Sequence, residues 1–479
     1  MTKQRTLPLF AVLAALATQA APAQVVLSPC KVPGVDQEIR CGTYAVFEDR
    51  AARSGRTIPL FIAVLPALES PAALDPVFML AGGPGQGASS LAGFANRSFA
   101  GIRRHRDIVM VDLAGTGRSQ PLNCRMYRTA QDLVGDFHPL ANVRVCHDSL
   151  SHVTNLKRYT TANLVDDLDD ARAALGYDSI NIYGTSWGTR AALEYVRRHR
   201  GHVRSIVLKA VAPPTMPGTM YYARDMDRSL DELLRLCDVD RACLQEFPTI
   251  RADLDEVLKR AEKGFLPGVI PDPRGRPTTQ LPITRGAFTS LLLGYLQNTA
   301  TAVRIPFLIH EALMQRTEPL VTAIVNYRSA LDANVSIGFY FSVMCNEDAP
   351  RMDAAAAVVK DAGTALKDYR VAQLAAACRE WGEGDVSADA GKPVVSDVPA
   401  LLISGTLDPN TPEPWGEEAL RTLSHGTHVV ITNVSHAFTS IAECGANFIT
   451  PFIETASAAG LDFSCKDNVR IPRFVFTAQ

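Results

Sequence analysis

The sequence predicts an α/β fold, with a mainly parallel central sheet, helices on both faces and an inserted, mostly helical lid. Three observations predict it. Apolar, β-branched runs bounded by Gly, Pro or Asp recur through the first half, and a helical period lies between two of them. A long helical stretch then separates those runs from two more near the carboxyl end, and strands alternating with helices favour parallel pairing.

In chain order, residues 44–47, 58–65, 77–80, 108–111, 180–183 and 206–211 read as strands. Leu164, Leu168, Ala171 and Leu175 recur at three- and four-residue spacing, with Gly176 as a stop signal, so residues 161–176 read as a helix covering the sheet. After Ala212-Pro213-Pro214, helical segments rich in Leu, Ala, Arg and Asp run to about Gly391, broken by a Pro/Gly loop at 266–282. The strand pattern resumes at 399–404 and 428–434. The chain therefore divides into a signal peptide (1–23), a first core part (24–214), a lid (215–395) and a second core part (396–479). It contains no internal repeat and no low-complexity tract beyond the leader.

The leader reading rests on Lys3 and Arg5, an apolar stretch from Leu7 to Ala17, and Ala21-Pro22-Ala23 as a small-residue cleavage site. Export to a periplasm or the extracellular space follows. The stretch is short for a membrane span, and no Cys follows the cleavage site, so no stable membrane anchor is expected after processing. With 479 residues, 47% of them hydrophobic, the chain buries a large core. A net charge of −2 creates no field that favours nucleic acid or anionic membrane. The ten cysteines fit an oxidising compartment. Sequence neighbours suggest the pairs Cys30 with Cys41, Cys124 with Cys146, Cys237 with Cys243, Cys345 with Cys378 and Cys444 with Cys465. Zinc is the competing reading, but the sequence has no close Cys-x-x-Cys pair and no helical His pair, so no metal is expected.

Gly184-Thr185-Ser186-Trp187-Gly188 joins the run at 180–183 to a helix-like stretch at 189–199. This is the pattern of a nucleophile elbow: a sharp strand-to-helix turn exposes a serine, and the flanking glycines admit neighbouring backbone. Ser186 is the candidate nucleophile. A serine hydroxyl needs a base, and the base needs an acid, each placed after a strand. In the α/β-hydrolase arrangement their chain order is Ser, acid, His. Asp408 follows the strand at 401–404, although an Asx turn would also place an Asp there. Asp397 precedes that strand and is the weaker choice. Three histidines lie downstream. His436 follows the run Val429-Val430-Ile431, whereas His425 and His428 precede it and would lie at the opposite end of the sheet. For the oxyanion, the amide of Trp187 supplies one donor, and Gly82 or Gly83 in the loop Ala81-Gly82-Gly83-Pro84-Gly85-Gln86-Gly87 supplies the other. That loop lacks the Lys-Ser/Thr ending of a P-loop and the full dinucleotide fingerprint.

With these residues in hand, the chain resembles the secreted α/β-hydrolases of the tripeptidyl-aminopeptidase and proline-iminopeptidase group. The resemblance spans nearly all of the mature chain. It is carried by Gly82-Gly83-Pro84-Gly85, Asp112-Leu113-Ala114-Gly115-Thr116-Gly117-Arg118-Ser119, the elbow, Ser342-Val343-Met344-Cys345-Asn346-Glu347-Asp348, Asp408-Pro409-Asn410-Thr411-Pro412 and His436. Ala81 stands where iminopeptidases usually have His, and Leu113-Ala114 replaces the commoner Gln-Arg. The resemblance implies cofactor-free cleavage of short peptides from a free amino end through an acyl-enzyme. A substrate ammonium under a lid requires an acidic partner, for which Glu347 and Asp348 are the candidates; a structural ion pair or helix cap is the alternative. Thr411 is a candidate support for the acid loop. Rival readings are an exported esterase or lactonase with the same triad, and a non-catalytic binding homologue. The oligomeric state is not legible.

Overall fold

The computed structural model describes residues 24–384, 386–437 and 441–477; the leader expected at 1–23 lies outside them. Eleven strands form among the described residues: β1 (Ser28–Cys30), β2 (Ile39–Phe47), β3 (Thr57–Leu65), β4 (Val77–Leu80), β5 (Ile108–Val111), β6 (Ile180–Thr185), β7 (Val203–Lys209), β8 (Pro267–Ile270), β9 (Thr279–Pro282), β10 (Ala400–Gly405) and β11 (Gly426–Ile431). Nine build one sheet in the order β1-β2-β3-β5-β4-β6-β7-β10-β11. β1, β2 and β3 are joined antiparallel, as is β3 to β5, and all pairs from β5 to β11 are parallel.

Along each central strand, alternate side chains enter different cores, as the two-residue period of a strand requires. Phe78 and Leu80 join one cluster and Val77 and Met79 the other; Ile62 and Val64 oppose Ala63 and Leu65 in the same way. Helices Thr161–Ala174 and Trp187–His199 cover the first face. Ala92, Ala95, Phe99 and Ile102, with Phe448 and Phe452, cover the second. Burial on both faces explains why these strands read as continuous apolar runs rather than alternating ones.

Between β7 and β10 the chain leaves the sheet and forms mainly helices, among them Tyr222–Val239, Ile250–Glu262, Arg285–Leu296, Glu318–Asn334 and Tyr369–Trp381. Two details differ from the sequence reading here. The Pro/Gly stretch at 266–282 is not only a loop, because β8 and β9 pair as an antiparallel hairpin around it. Residues 122–151, counted with the core, pack on the inserted helices. Phe137 N donates to Tyr369 Oη at 2.7 Å, His138 N to Gln373 Oε1 at 3.1 Å, and Met126 N to Asp332 Oδ1 at 3.0 Å.

Five disulfides join Cys30 to Cys41, Cys124 to Cys146, Cys237 to Cys243, Cys345 to Cys378 and Cys444 to Cys465. No described helix is long and apolar enough to cross a membrane. His199 and His202, three residues apart at a helix end, do gather with Asp169. Arg172 and Tyr195 already hold that carboxylate, at 2.7 and 2.6 Å.

Candidate active site

The parallel register brings the carboxyl ends of five strands to one edge. Leu80 of β4 lies beside Gly184 of β6, Thr185 beside Lys209 of β7, Ile403 of β10 beside Lys209, and Gly405 beside Ile431 of β11. The loops after β4, β6, β10 and β11 each carry one of the predicted groups, as expected for open α/β sheets.

Ser186 follows β6 directly, with φ 55° and ψ −127°, a left-handed backbone unusual for a side chain of its type. Its amide donates to Lys209 O at 2.9 Å, fixing the turn to the next strand. A Cβ on Gly184 would meet Gly188 O at 2.6 Å, and one on Gly188 would meet Leu80 O at 2.4 Å. The glycines of the elbow are therefore required by close backbone approach, and the amphipathic helix Trp187–His199, buried from Trp187 to Val196, anchors its far side.

His436 and Asp408 meet the serine from the other two loops. Ser186 Oγ lies 2.9 Å from His436 Nε2, and His436 Nδ1 lies 3.0 and 2.9 Å from the two oxygens of Asp408. A carboxylate beside Nδ1 holds the ring proton there, leaving Nε2 to accept from the serine hydroxyl. Asp408 Oδ1 also accepts from the amides of Asn410 (2.8 Å) and Thr411 (2.9 Å), and Oδ2 from the Thr411 hydroxyl (2.9 Å). Burial pushes the Asp408 carboxyl up, but the His436 charge and these hydrogen bonds outweigh it, and the group stays below its ordinary value. The Thr411 hydroxyl is also 3.1 Å from His436 Nδ1, so it touches both members of the pair. Of the other histidines, His428 lies within β11 rather than before it, and its Nε2 is 2.9 Å from Ser404 Oγ.

The glycine loop stands against the elbow. A Cβ on Gly82 would come 3.0 Å from Ser186 Cβ, and Gly83 has φ 113°. The Asp112 motif pins this loop: Asp112 accepts from Ser89 N at 2.7 Å, Ser89 Oγ at 2.8 Å and Arg118 N at 2.8 Å. The amide of Trp187, at the first turn of its helix, belongs to the donors that an α-helix leaves without an internal partner.

The amine-anchor expectation is corrected. Glu347 accepts from Thr161 N at 2.5 Å and Thr161 Oγ1 at 2.8 Å, capping a helix start. Asp348 is fully buried between Arg190, 2.9 Å from both oxygens, and Arg351 at 2.6 Å. Neither lines the cavity that contains Ser186. Asp348 joins the inserted helices to the elbow helix through Arg190, and Glu347 joins them to the helix that begins at Thr161.

That cavity, of about 460 Å³, runs from Gly82, Ser186 and His436 to a wall that sequence reasoning missed. Tyr127, His138, Tyr222, Tyr327, Tyr340 and Arg370 form much of it. These residues come from both the 122–151 segment and the inserted helices, so no local spacing marks them. Lys209 lines the Ser186 end, where burial pulls its ammonium down to about 8 against the opposing pull of Asp408. Among the described lining residues there is no carboxylate.

Residues 75–243 match the family model described as alpha/beta hydrolase fold, and residues 364–465 match the one described as TAP-like protein. The chain has the α/β-hydrolase fold. Among curated relatives, the chain is 32% identical over 142 residues to a probable proline iminopeptidase of Streptomyces coelicolor, covering 29% of this chain and 33% of that one. It is 31% identical over 137 residues to a proline iminopeptidase of Neisseria meningitidis, covering 28% and 32% respectively. The chain thus spans about a third of the length of these relatives. Among solved structures, it resembles a proline iminopeptidase from Mycobacterium smegmatis at 14% identity and TM-score 0.43, covering 86% of this chain and 98% of that one. An esterase from Exiguobacterium antarcticum gives 14% and 0.40, covering 83% and 96%.

Proposed function

We propose that this α/β-hydrolase is an exported serine hydrolase that cleaves short peptides through an acyl-enzyme. The observation that carries the reading is the unbroken line from Ser186 Oγ through His436 to the buried Asp408. Ser186 Oγ attacks the scissile carbonyl while His436 Nε2 takes its proton, and Asp408 stabilises the imidazolium. The amides of Trp187 and Gly83, with Gly82 beside them, receive the oxyanion. His436 then returns the proton to the leaving amine, and a water activated by the same base hydrolyses the acyl-serine.

The proline iminopeptidase relatives and the TAP-like segment support short peptides as substrates and release from the amino end. Five disulfides support export. A second reading, an esterase or lactonase, is favoured by one observation: the described cavity wall offers no carboxylate to a substrate ammonium. Wild type and Ser186→Ala are to be compared on free-amine di- and tripeptide anilides, their acetylated forms and a simple ester. Loss of all turnover in the variant, with free-amine anilides preferred in wild type, supports the proposal. Undiminished activity in the variant refutes the nucleophile. Equal turnover of blocked anilides and esters leaves the second reading in its place. Fractionation with amino-terminal sequencing of the mature protein tests export, which a chain retained in the cytoplasm and beginning at Met1 would refute.

A further inference from the structure

The wall of the cavity away from Ser186 combines one charge and several polar groups that the protein itself leaves unsatisfied. Arg370, at the start of the helix Tyr369–Trp381, is only 6% exposed and lines the cavity. Among the described residues, no carboxylate forms an ion pair with its guanidinium, and its buried Nε makes no hydrogen bond. The guanidinium carbon lies over the Phe137 ring at 3.5 Å and over the Tyr222 ring at 6.0 Å. Around it, the buried Nε2 of His138 and the hydroxyl of Tyr340 also lack partners. The two rings are 5.7 Å apart, and both residues line the same cavity. The Tyr340 hydroxyl lies beside Arg370, whose charge and hydrogen-bonding reach partly offset the burial that raises it, although the pair falls outside ordinary hydrogen-bond geometry.

The surroundings add positive charge. Arg328, fully buried behind this wall, lies over the Phe137 ring at 4.8 Å and over Tyr127 at 4.6 Å, and donates to Tyr127 Oη at 2.7 Å. Burial and the charges of Arg370 and Arg328 push His138 well below its ordinary value, so the ring is neutral and one of its nitrogens carries a proton to donate. A guanidinium this little exposed and without a counter-charge is unfavourable unless something else supplies the charge. Stacking on an aromatic ring compensates only in part. Elsewhere in the fold the buried arginine Arg190 is answered by Asp348.

We propose that this wall is a carboxylate-binding subsite, in which Arg370 pairs with an anionic group of the substrate and Tyr340 and His138 donate to the same oxygens. The fixed fork of a guanidinium suits a planar carboxylate. The substrate is then a short amide or ester that carries a carboxylate at the end remote from the scissile carbonyl. Two sources share this chemistry: a carboxylate on the acyl part, such as an acidic side chain or a dicarboxylic monoacyl group, and a free carboxylate on the leaving part. The inference rests on the hydrolase reading of Ser186 for its catalytic consequence, but not for binding.

The test uses the full chain as wild type, Arg370→Met and Arg370→Lys. In the acyl arm, the 4-nitrophenyl monoester of glutarate is compared with the 4-nitrophenyl ester of its uncharged monoamide. In the leaving-group arm, alanyl-4-aminobenzoate is compared with alanyl-4-aminobenzamide. A preference for the charged member of about tenfold or more in kcat/KM is expected in one arm, which identifies the source. It should collapse to about unity in Arg370→Met and be intermediate in Arg370→Lys. No preference in either arm, or one that survives Arg370→Met, overturns the subsite. Labelling of Ser186 by a fluorophosphonate separately tests the hydrolase reading. If that reading fails, calorimetric binding of glutarate against glutaramide still decides the inference, because binding of glutarate alone, lost in Arg370→Met, supports it and equal or absent binding refutes it.

Discussion

The two ends of the cavity treat their polar groups in opposite ways. At the Ser186 end the three predicted groups answer one another: Asp408 accepts from two amides, a threonine hydroxyl and His436, and His436 reaches Ser186. At the lid end Arg370, His138 and Tyr340 each keep a buried atom without one. A fully satisfied constellation is preorganised, because its groups already hold one another in place. An unsatisfied one is completed from outside, and its composition states what is missing. The contrast also separates two kinds of charge in the inserted segment: Asp348 is spent within the fold, whereas Arg370 is left facing the cavity.

The strongest way to break this contrast is at Ser186. Ser186→Ala should lower kcat by at least about 10³-fold while thermal melting is unchanged, measured by steady-state turnover. Asp408→Asn should follow at about 10³- to 10⁴-fold, because an amide no longer holds the imidazole tautomer or its charge. Retention of more than a tenth of the activity in either variant would mean that the preorganised end has been misread.

Asp348→Ala probes the satisfied charge of the lid. Removing it strands Arg190 and Arg351, and a loss of about 3–5 kcal/mol in unfolding free energy is expected from denaturant titration. The ratio of free to acetylated substrates should not move; a selective loss of free-amine turnover would restore the amine-anchor role. Thr411→Val removes one hydroxyl donor from Asp408 and should cost about tenfold in kcat, with little change in KM.

The smallest effect concerns Asp227, on the lid helix Tyr222–Val239, where burial raises the carboxyl to about 6 even though Ala365 N donates to it. A folded-state value above the unfolded one of about 3.9 means that the native state prefers the proton, so stability is lost as pH rises from about 4 through 6. Asp227→Asn should remove that loss. After allowance for partial exposure, a gain of about 1–2 kcal/mol at pH 7 and none at pH 4 is expected in melting experiments. An equal gain at both pH values would assign the effect to packing rather than to the proton.

The sheet was legible because its strands are buried on both faces and end in small residues. The runs at 77–80 and 108–111 coincide with β4 and β5. β1 was not read, since three residues containing Pro29 and Cys30 carry no period. β11 begins at Gly426 rather than 428, because its intermediate exposure weakens the apolar contrast at Thr427 and His428. At the site, chain order and strand ends pointed to Ser186, Asp408 and His436, and the structure brings them within hydrogen-bonding distance. Glu347 and Asp348 had the right charge for an ammonium, but charge carries no direction, and Thr161, Arg190 and Arg351 come from elsewhere in the chain to claim them.

What the sequence by itself determined is therefore what local pattern encodes: the α/β sheet, the elbow, and the order of residues that loops at one sheet edge must present. Only the tertiary structure decided the lid wall. His138, Tyr340 and Arg370 are separated by some two hundred residues of chain between the first and the second, and they become neighbours only when the 122–151 segment packs on the inserted helices. Whether a buried charge is answered depends on which distant side chains reach it, and no spacing along the chain records that.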